Sequence, residues 1–369
     1  MKPELRVLFA GGGTGGHVYP AIAIAEEIRS IRSDANILFV GTRDKIEWEA
    51  VPRAGFNIKP ITVSAFHRTR IWRNLTFPAK LLAGLWQSRR IVKAFRPHVA
   101  VGTGGYVSGP VLWAAARRNT PIVLQEQNAF PGKTTKMLAD KATEIHIAFA
   151  EATSYLPEDK CVLSGNPTRR NLADSTKEEA LSHFELDSSR PVLVVMGGSL
   201  GSAKLNQVVE QKYPALLEMG WSILWQTGKL YFDAINARIP APPENMVITK
   251  FIHRMDHAYA AADVALCRSG AITCSELAVT GTPSVLVPSP NVAEDHQTIN
   301  ARSLAKSGAA IMIAEQEIDR ALVPTLQRLI SQKEELHKLA DGALRRGKPQ
   351  AAQEIAQAVL TVCNAPEEN

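Results

Sequence analysis

Arg6-Val7-Leu8-Phe9-Ala10 runs straight into Gly11-Gly12-Gly13-Thr14-Gly15-Gly16-His17, after which Tyr19-Pro20-Ala21 opens a helical pattern. The short apolar run reads as a buried strand. Ile22, Ala25, Glu26, Ile28 and Arg29 recur at helical spacing, with Pro20 suited to a first turn. The same device returns at Pro191-Val192-Leu193-Val194-Val195-Met196, followed by Gly197-Gly198-Ser199-Leu200-Gly201. Around the first copy, strands are expected at 36–41, 99–102, 122–125 and 144–148, with helices near 79–96 and 110–118. Around the second, strands are expected near 222–226, 247–249, 264–266 and 284–287. Alternating strands and helices predict α/β architecture, with two Rossmann-like, doubly wound parallel sheets facing across a cleft. Gly165 and Pro167 break the pattern. The expected domains are 1–165 and 166–346, with a helix at about 347–364 packing back on the first and a frayed tail from Cys363.

A chain of 369 residues fits two domains, and 45% apolar with 21% charged residues is a globular composition. Four cysteines without a C-x-x-C pair argue against a zinc or redox motif and for a reduced, cytosolic setting. The first apolar run is too short for a signal peptide, and no window reaches the roughly 18 apolar residues of a membrane span. A soluble or peripheral protein is expected. The net charge of +6 calls for a polyanionic partner.

Glycines after a strand let the backbone approach phosphate, and the next helix adds unpaired N–H groups and a positive dipole end. Four such turns occur: 11–17, Gly102-Thr103-Gly104-Gly105-Tyr106, 197–201, and Ser269-Gly270-Ala271-Ile272-Thr273 leading into Cys274-Ser275-Glu276. Together they point to a phosphate-rich ligand between the domains. A dinucleotide oxidoreductase competes, because Gly11, Gly13 and Gly16 match G-x-G-x-x-G. The second strand, however, ends in Gly41-Thr42-Arg43 rather than an acid, and three glycine turns would have no role.

Gly12-Gly13-Thr14-Gly15-Gly16-His17, Gly104-Gly105-Tyr106-Val107-Ser108-Gly109-Pro110, Glu126-Gln127-Asn128, Gly165-Asn166-Pro167, Cys267-Arg268-Ser269-Gly270-Ala271, Ser275-Glu276 and Asp295-His296-Gln297 together resemble the MurG family of GT-B glycosyltransferases. The likeness spans about 6–310, in order. It implies a GT-B fold and inverting transfer of GlcNAc from UDP-GlcNAc to the 4-hydroxyl of MurNAc in undecaprenyl-pyrophosphoryl-MurNAc-pentapeptide. By resemblance, Thr14, Gly15, Gly16, Asn128, Arg169, Ser199, Ile252, Ala271, Ile272, Thr273, Cys274, Ser275, Glu276 and Gln297 contact the donor. Gly12, Gly13, Gly104, Gly105 and Tyr106 form loops for the acceptor pyrophosphate. The residue types suit these roles. Glu276 can accept two bonds from a ribose diol, Arg169 offers charge, and the Ile252 backbone can read a uracil edge. Read alone, Ser199 equally suits a helix cap, Glu276 a first-turn dipole partner, and Asn128 and Gln297 turns or surface.

His17 is the leading general base, because an imidazole accepts protons near neutral pH; hydrogen bonding to the acceptor or capping the helix are its plainer roles. Glu126 is a second candidate that also suits orienting its neighbours. No D-x-D occurs, so no metal cofactor is expected. His253 and His257 lie one turn apart, but with Asp256 between them a solvated helix surface is the expectation.

Residues 67–97 carry eight Lys or Arg and no acid. A core stripe of Leu81, Leu85, Val92 and Phe95 is expected in this helix. Ile71, Trp72, Leu75, Leu82, Trp86 and Arg89 then form an apolar and aromatic surface bordered by cations, suited to an anionic membrane. RNA is the rival partner, but no nucleic-acid motif accompanies the stretch. The resemblance adds a peripheral location on the cytoplasmic face of the bacterial plasma membrane, with cell-wall or division proteins as further partners. The alternatives are a related transferase using another lipid acceptor, such as diacylglycerol, and a non-catalytic nucleotide- or RNA-binding protein.

Overall fold

The computed structural model describes residues 4–64, 76–169 and 172–364, and the chain forms two units. Met1–Thr168 with Pro349–Asn369 make the first and Arg169–Lys348 the second. The division falls beyond residue 165 because Asn166 is still tied to the first unit: its Nδ2 donates to the Gln127 carbonyl at 3.0 Å.

The first unit contains β1 (Arg6–Gly11), α1 (Gly15–Ile31), β2 (Asn36–Gly41), α2 (Glu47–Arg53), β3 (Asn57–Pro60), α3 (Phe77–Phe95), β4 (Val99–Gly104), α4 (Ser108–Ala116), β5 (Ile122–Glu126), α5 (Lys133–Leu138), β6 (Glu144–Ile147) and β7 (Cys161–Leu163). All seven strands are parallel, in the order β3-β2-β1-β4-β5-β6-β7. Both faces are covered, which is why the central strands read as unbroken apolar runs. Leu8, Leu38, Ala100 and Leu124 pack with Val92, Val111 and Leu112 of α3 and α4. Val7, Phe9, Phe39 and Val101 form the opposite layer with Ile24 and Ile28 of α1.

The second unit contains α6 (Lys177–Phe184), β8 (Val192–Met196), α7 (Ala203–Glu218), β9 (Ser222–Gln226), α8 (Phe232–Arg238), β10 (Met246–Thr249), α9 (Met255–Ala261), β11 (Val264–Cys267), α10 (Ala271–Thr280), β12 (Ser284–Leu286), α11 (His296–Lys306), β13 (Ile311–Met312), α12 (Ile318–Ser331) and α13 (Lys333–Arg346). Its parallel sheet runs β10-β9-β8-β11-β12-β13. The last helix, α14 (Ala351–Asn364), returns to the first unit, where Ile355, Ala356 and Val359 join the α1 layer. Cys363 lies inside α14 and packs against this layer, so the expected fraying does not begin there.

The edge strands β3, β7 and β13 escaped the sequence reading. Each is short and only partly covered, so none carries a continuous apolar run. Helix α3 is also rotated from the expected stripe. Its buried residues are Gly84, Ser88, Ile91 and Val92, while Leu81 is exposed. Gly84 sets this rotation, because a Cβ there would lie 2.5 Å from Val63 Cγ1.

Candidate active site

The strand order decides which glycine turns meet. In each unit the order reverses between two central strands, β1 with β4 and β8 with β11. Ligands of open α/β sheets bind beyond the carboxyl ends of the strands at such a reversal. All four glycine turns lie at these two places, two in each unit.

In the first unit the turns after β1 and β4 touch backbone to backbone. A Cβ on Gly105 (φ +79°) would come 2.3 Å from the Gly12 carbonyl oxygen, and one on Gly13 (φ +90°) 3.2 Å from the Tyr106 ring. Gly12, Gly13, Gly104, Gly105 and Tyr106 therefore form one cluster, with Thr14, Gly15 and Gly16 leading from it into α1. Buried Glu47 braces it, accepting from Gly13 N at 3.0 Å and from Thr42 N and Oγ1 at 3.1 and 2.8 Å. Nothing in the local sequence marks Glu47 for this work.

His17, in the first turn of α1, is half-buried beside Gly104, and its Nδ1 lies 2.9 Å from Gln127 Oε1. Gln127 Nε2 donates to the Thr103 and Gln125 carbonyls at 2.8 and 3.1 Å, which fixes the amide with its oxygen toward the ring. Neutral His17 thus carries its proton on Nδ1 and a lone pair on Nε2. The amide chain continues through Gln125, whose Nε2 donates to Asn166 Oδ1 at 2.8 Å. Gln127 and Asn166 had stood out in the sequence only as motif letters.

Glu126 is 3% exposed, and both its oxygens are engaged. Oε1 accepts from Asn128 N at 3.1 Å, and Oε2 from Gly132 N at 3.0 Å and Thr135 Oγ1 at 2.6 Å. The carboxylate organises the 128–132 loop, which carries Asn128. That is anchoring geometry rather than the open lone pair a base needs.

In the second unit, Ser199 is exposed within the turn between β8 and α7, and the helix cap is Ser202, whose hydroxyl accepts from Leu205 N at 3.4 Å. Buried Gln226 links the turn that holds Ser199 to Ile252: its Nε2 donates to the Gly198 carbonyl at 3.2 Å, and its Oε1 accepts from Ile252 N at 2.8 Å. The Ile252 N–H is thereby occupied by the Gln226 side chain.

Ala271, Ile272, Thr273, Cys274, Ser275 and Glu276 form the start of α10, whose N-cap is Gly270 and whose first turn carries no acid. Burial raises the Glu276 carboxyl above its usual range, opposed by the Arg169 charge and by a hydrogen bond from Tyr259. Tyr259 Oη donates to Glu276 Oε2 at 2.9 Å, and Arg169 Nε lies 3.8 Å from Oε1. Gln297, at the start of α11, accepts from Ser289 N at 2.9 Å, leaving its NH₂ as the donor end. Arg268 braces the same region, donating to Ser202 Oγ at 2.7 Å and to the Val287 and Pro288 carbonyls at 3.1 Å.

His257 is buried in α9 against His183, at 4.8 Å between ring centroids, so it does not form the solvated surface expected of it. Among the described residues no group of three or more His, Cys, Asp or Glu is placed to hold a metal. On α3, Leu82 and Trp86 are 68% and 62% exposed, and Arg90 stands over the Trp86 ring. Arg89 stands over Trp113 of α4. Ile71, Trp72 and Leu75 lie outside the described residues. Among the described residues no helix is long and apolar enough to cross a membrane.

Residues 7–147 match the glycosyltransferase family 28 N-terminal domain and residues 192–355 its C-terminal domain. The chain is 48% identical to the UDP-N-acetylglucosamine--N-acetylmuramyl-(pentapeptide) pyrophosphoryl-undecaprenol N-acetylglucosamine transferase of Salinibacter ruber, over 97% of each chain. Identity to the enzyme of that name from Flavobacterium psychrophilum is 40%, again over 97% of each. The crystal structure of MurG from Acinetobacter baumannii superposes with a TM-score of 0.77 at 27% identity, covering 97% of this chain and 99% of that one.

Proposed function

The chain belongs to the MurG family within glycosyltransferase family 28, and from that premise we propose how its residues work. It is a UDP-GlcNAc-dependent transferase that hands N-acetylglucosamine to the lipid-linked MurNAc-pentapeptide. The His17–Gln127 contact carries the mechanism. The acceptor 4-hydroxyl oxygen attacks the anomeric carbon, and His17 Nε2 takes the hydroxyl proton. The bond to UDP breaks with its electron pair on the departing phosphate, inverting the anomeric centre.

Gln127 keeps the lone pair on Nε2, and Glu126 anchors the loop bearing Asn128. In the second unit the start of α10 and the turn holding Ser199 take the UDP phosphates, and Glu276 takes the ribose. With no D-x-D in the sequence, these N–H groups do the work a metal does elsewhere, and a chelator leaves turnover intact. Leu82 and Trp86, flanked by Arg89 and Arg90, rest on the anionic cytoplasmic face of the plasma membrane.

The test is UDP release from UDP-GlcNAc with and without a lipid-linked MurNAc-pentapeptide analogue, set against diacylglycerol with UDP-galactose. Release that requires the MurNAc acceptor is expected. Turnover on diacylglycerol alone would overturn the assignment.

A further inference from the structure

The first unit holds a cavity of about 600 Å³ that the proposed mechanism leaves unused. It lies past the carboxyl ends of β2 and β3, between the segment 42–45, the segment 60–64 and α3. This is the carboxyl edge of the sheet, beside the reversal of strand order between β1 and β4. Its walls are built. Gln87 of α3 accepts from Thr62 N at 2.6 Å and donates to Thr62 Oγ1 at 3.2 Å, and Gly84 lets the segment close onto the helix. Tyr106 is shared by the cavity and the glycine cluster, because its ring covers Gly13.

The lining combines three chemistries. Arg43, Lys45 and Lys80 supply positive charge, and Asp44, paired to Lys45 at 3.2 Å, is the one acid among the lining residues. Arg43 is held over the Trp48 ring, 5.3 Å from its centroid. Thr62, Ser64 and Gln87 supply hydroxyl and amide groups, while Ile61, Val63 and Tyr106 supply apolar surface. A phosphate group would use only the cations. A peptide ending in a carboxylate would use all three kinds of wall, with its amides on the hydroxyls and its small side chains on the apolar side.

We propose that this cavity binds the peptide arm of the acceptor, with Arg43 and Lys80 pairing with peptide carboxylate. The proposal rests on the functional reading above and names which part of that substrate the first unit recognises. Arg43, which ends the second strand where a dinucleotide fold has an acid, thereby acquires a role.

The experiment compares wild type, Arg43→Ala, Lys80→Ala and the double variant on three lipid-linked MurNAc acceptors. One carries the free pentapeptide, one has its peptide carboxylates amidated, and one lacks the peptide. KM for the first acceptor should rise about tenfold in each single variant, the worth of a charge-assisted hydrogen bond. KM for the other two acceptors and for UDP-GlcNAc should hold. Equal losses on all three acceptors would assign the cations to the pyrophosphate and overturn the proposal, as would unchanged KM throughout. Transfer by wild type to these acceptors tests the functional reading separately, since its absence on every one of them would sink that reading and not merely this one.

Discussion

His17 Nδ1 and Gln127 Oε1 meet at 2.9 Å across 110 positions of chain. The amide can only accept there, because its nitrogen is committed to two carbonyls. The contact therefore selects one tautomer of the ring, with the lone pair on Nε2. His17→Ala should lower kcat by about 10²–10⁴ while KM for UDP-GlcNAc stays within threefold. Gln127→Ala should cost about tenfold in kcat, and in the His17→Ala background it should cost nothing more, because it acts through the ring. Additive losses in steady-state kinetics would separate the two residues.

Tyr259 is buried and donates to Glu276. Tyr259→Phe keeps the packing and deletes that bond, leaving the carboxylate less firmly aimed. KM for UDP-GlcNAc should rise about tenfold with kcat little changed. Isothermal titration with UDP checks the effect on the nucleotide alone, and undiminished affinity would remove Tyr259 from the donor site.

Gly105 has φ +79°, and a Cβ there would enter the Gly12 carbonyl. Gly105→Ala should destabilise the first unit by about 2 kcal/mol or more, since backbone strain and a backbone clash add. Thermal unfolding reads this. Gly198→Ala shares the positive φ but meets nothing within 4 Å, so its loss should be the smaller.

His146 is buried beneath Ser164, and burial pushes its imidazole down to about 4. Between about 6.5 and 4 the unfolded chain binds a proton that the folded chain refuses, so stability is intact above 6.5 and falls as pH drops through this window. The full loss is about 3 kcal/mol. His146→Gln should flatten the melting temperature between pH 6.5 and 4 relative to wild type, and parallel profiles would exclude this ring as the source.

Leu82→Glu with Trp86→Glu should abolish sedimentation with anionic vesicles without changing the melting temperature, because both side chains are exposed. Binding that survives the double change would move the docking surface elsewhere.

The alternation of unbroken apolar runs, glycine turns and helical spacing was enough to read the central strands of both sheets and all four glycine turns, because each is a local pattern. The shorter edge strands β3, β7 and β13 lack that pattern, and the Leu81 stripe failed because Gly84 lets Val63 approach and turns α3. The motif letters marked His17, Glu126 and Gln127 together, yet could not assign their work.

That assignment waited on tertiary structure. Which glycine turns meet is set by the reversal of strand order between β1 and β4 and between β8 and β11. Whether a carboxylate is a base or an anchor is set by donors, and those on Glu126 come from Asn128, Gly132 and Thr135. Polar side chains answer to whatever carbonyls and amides the fold brings within about 3 Å, and sequence periodicity carries no record of that distance.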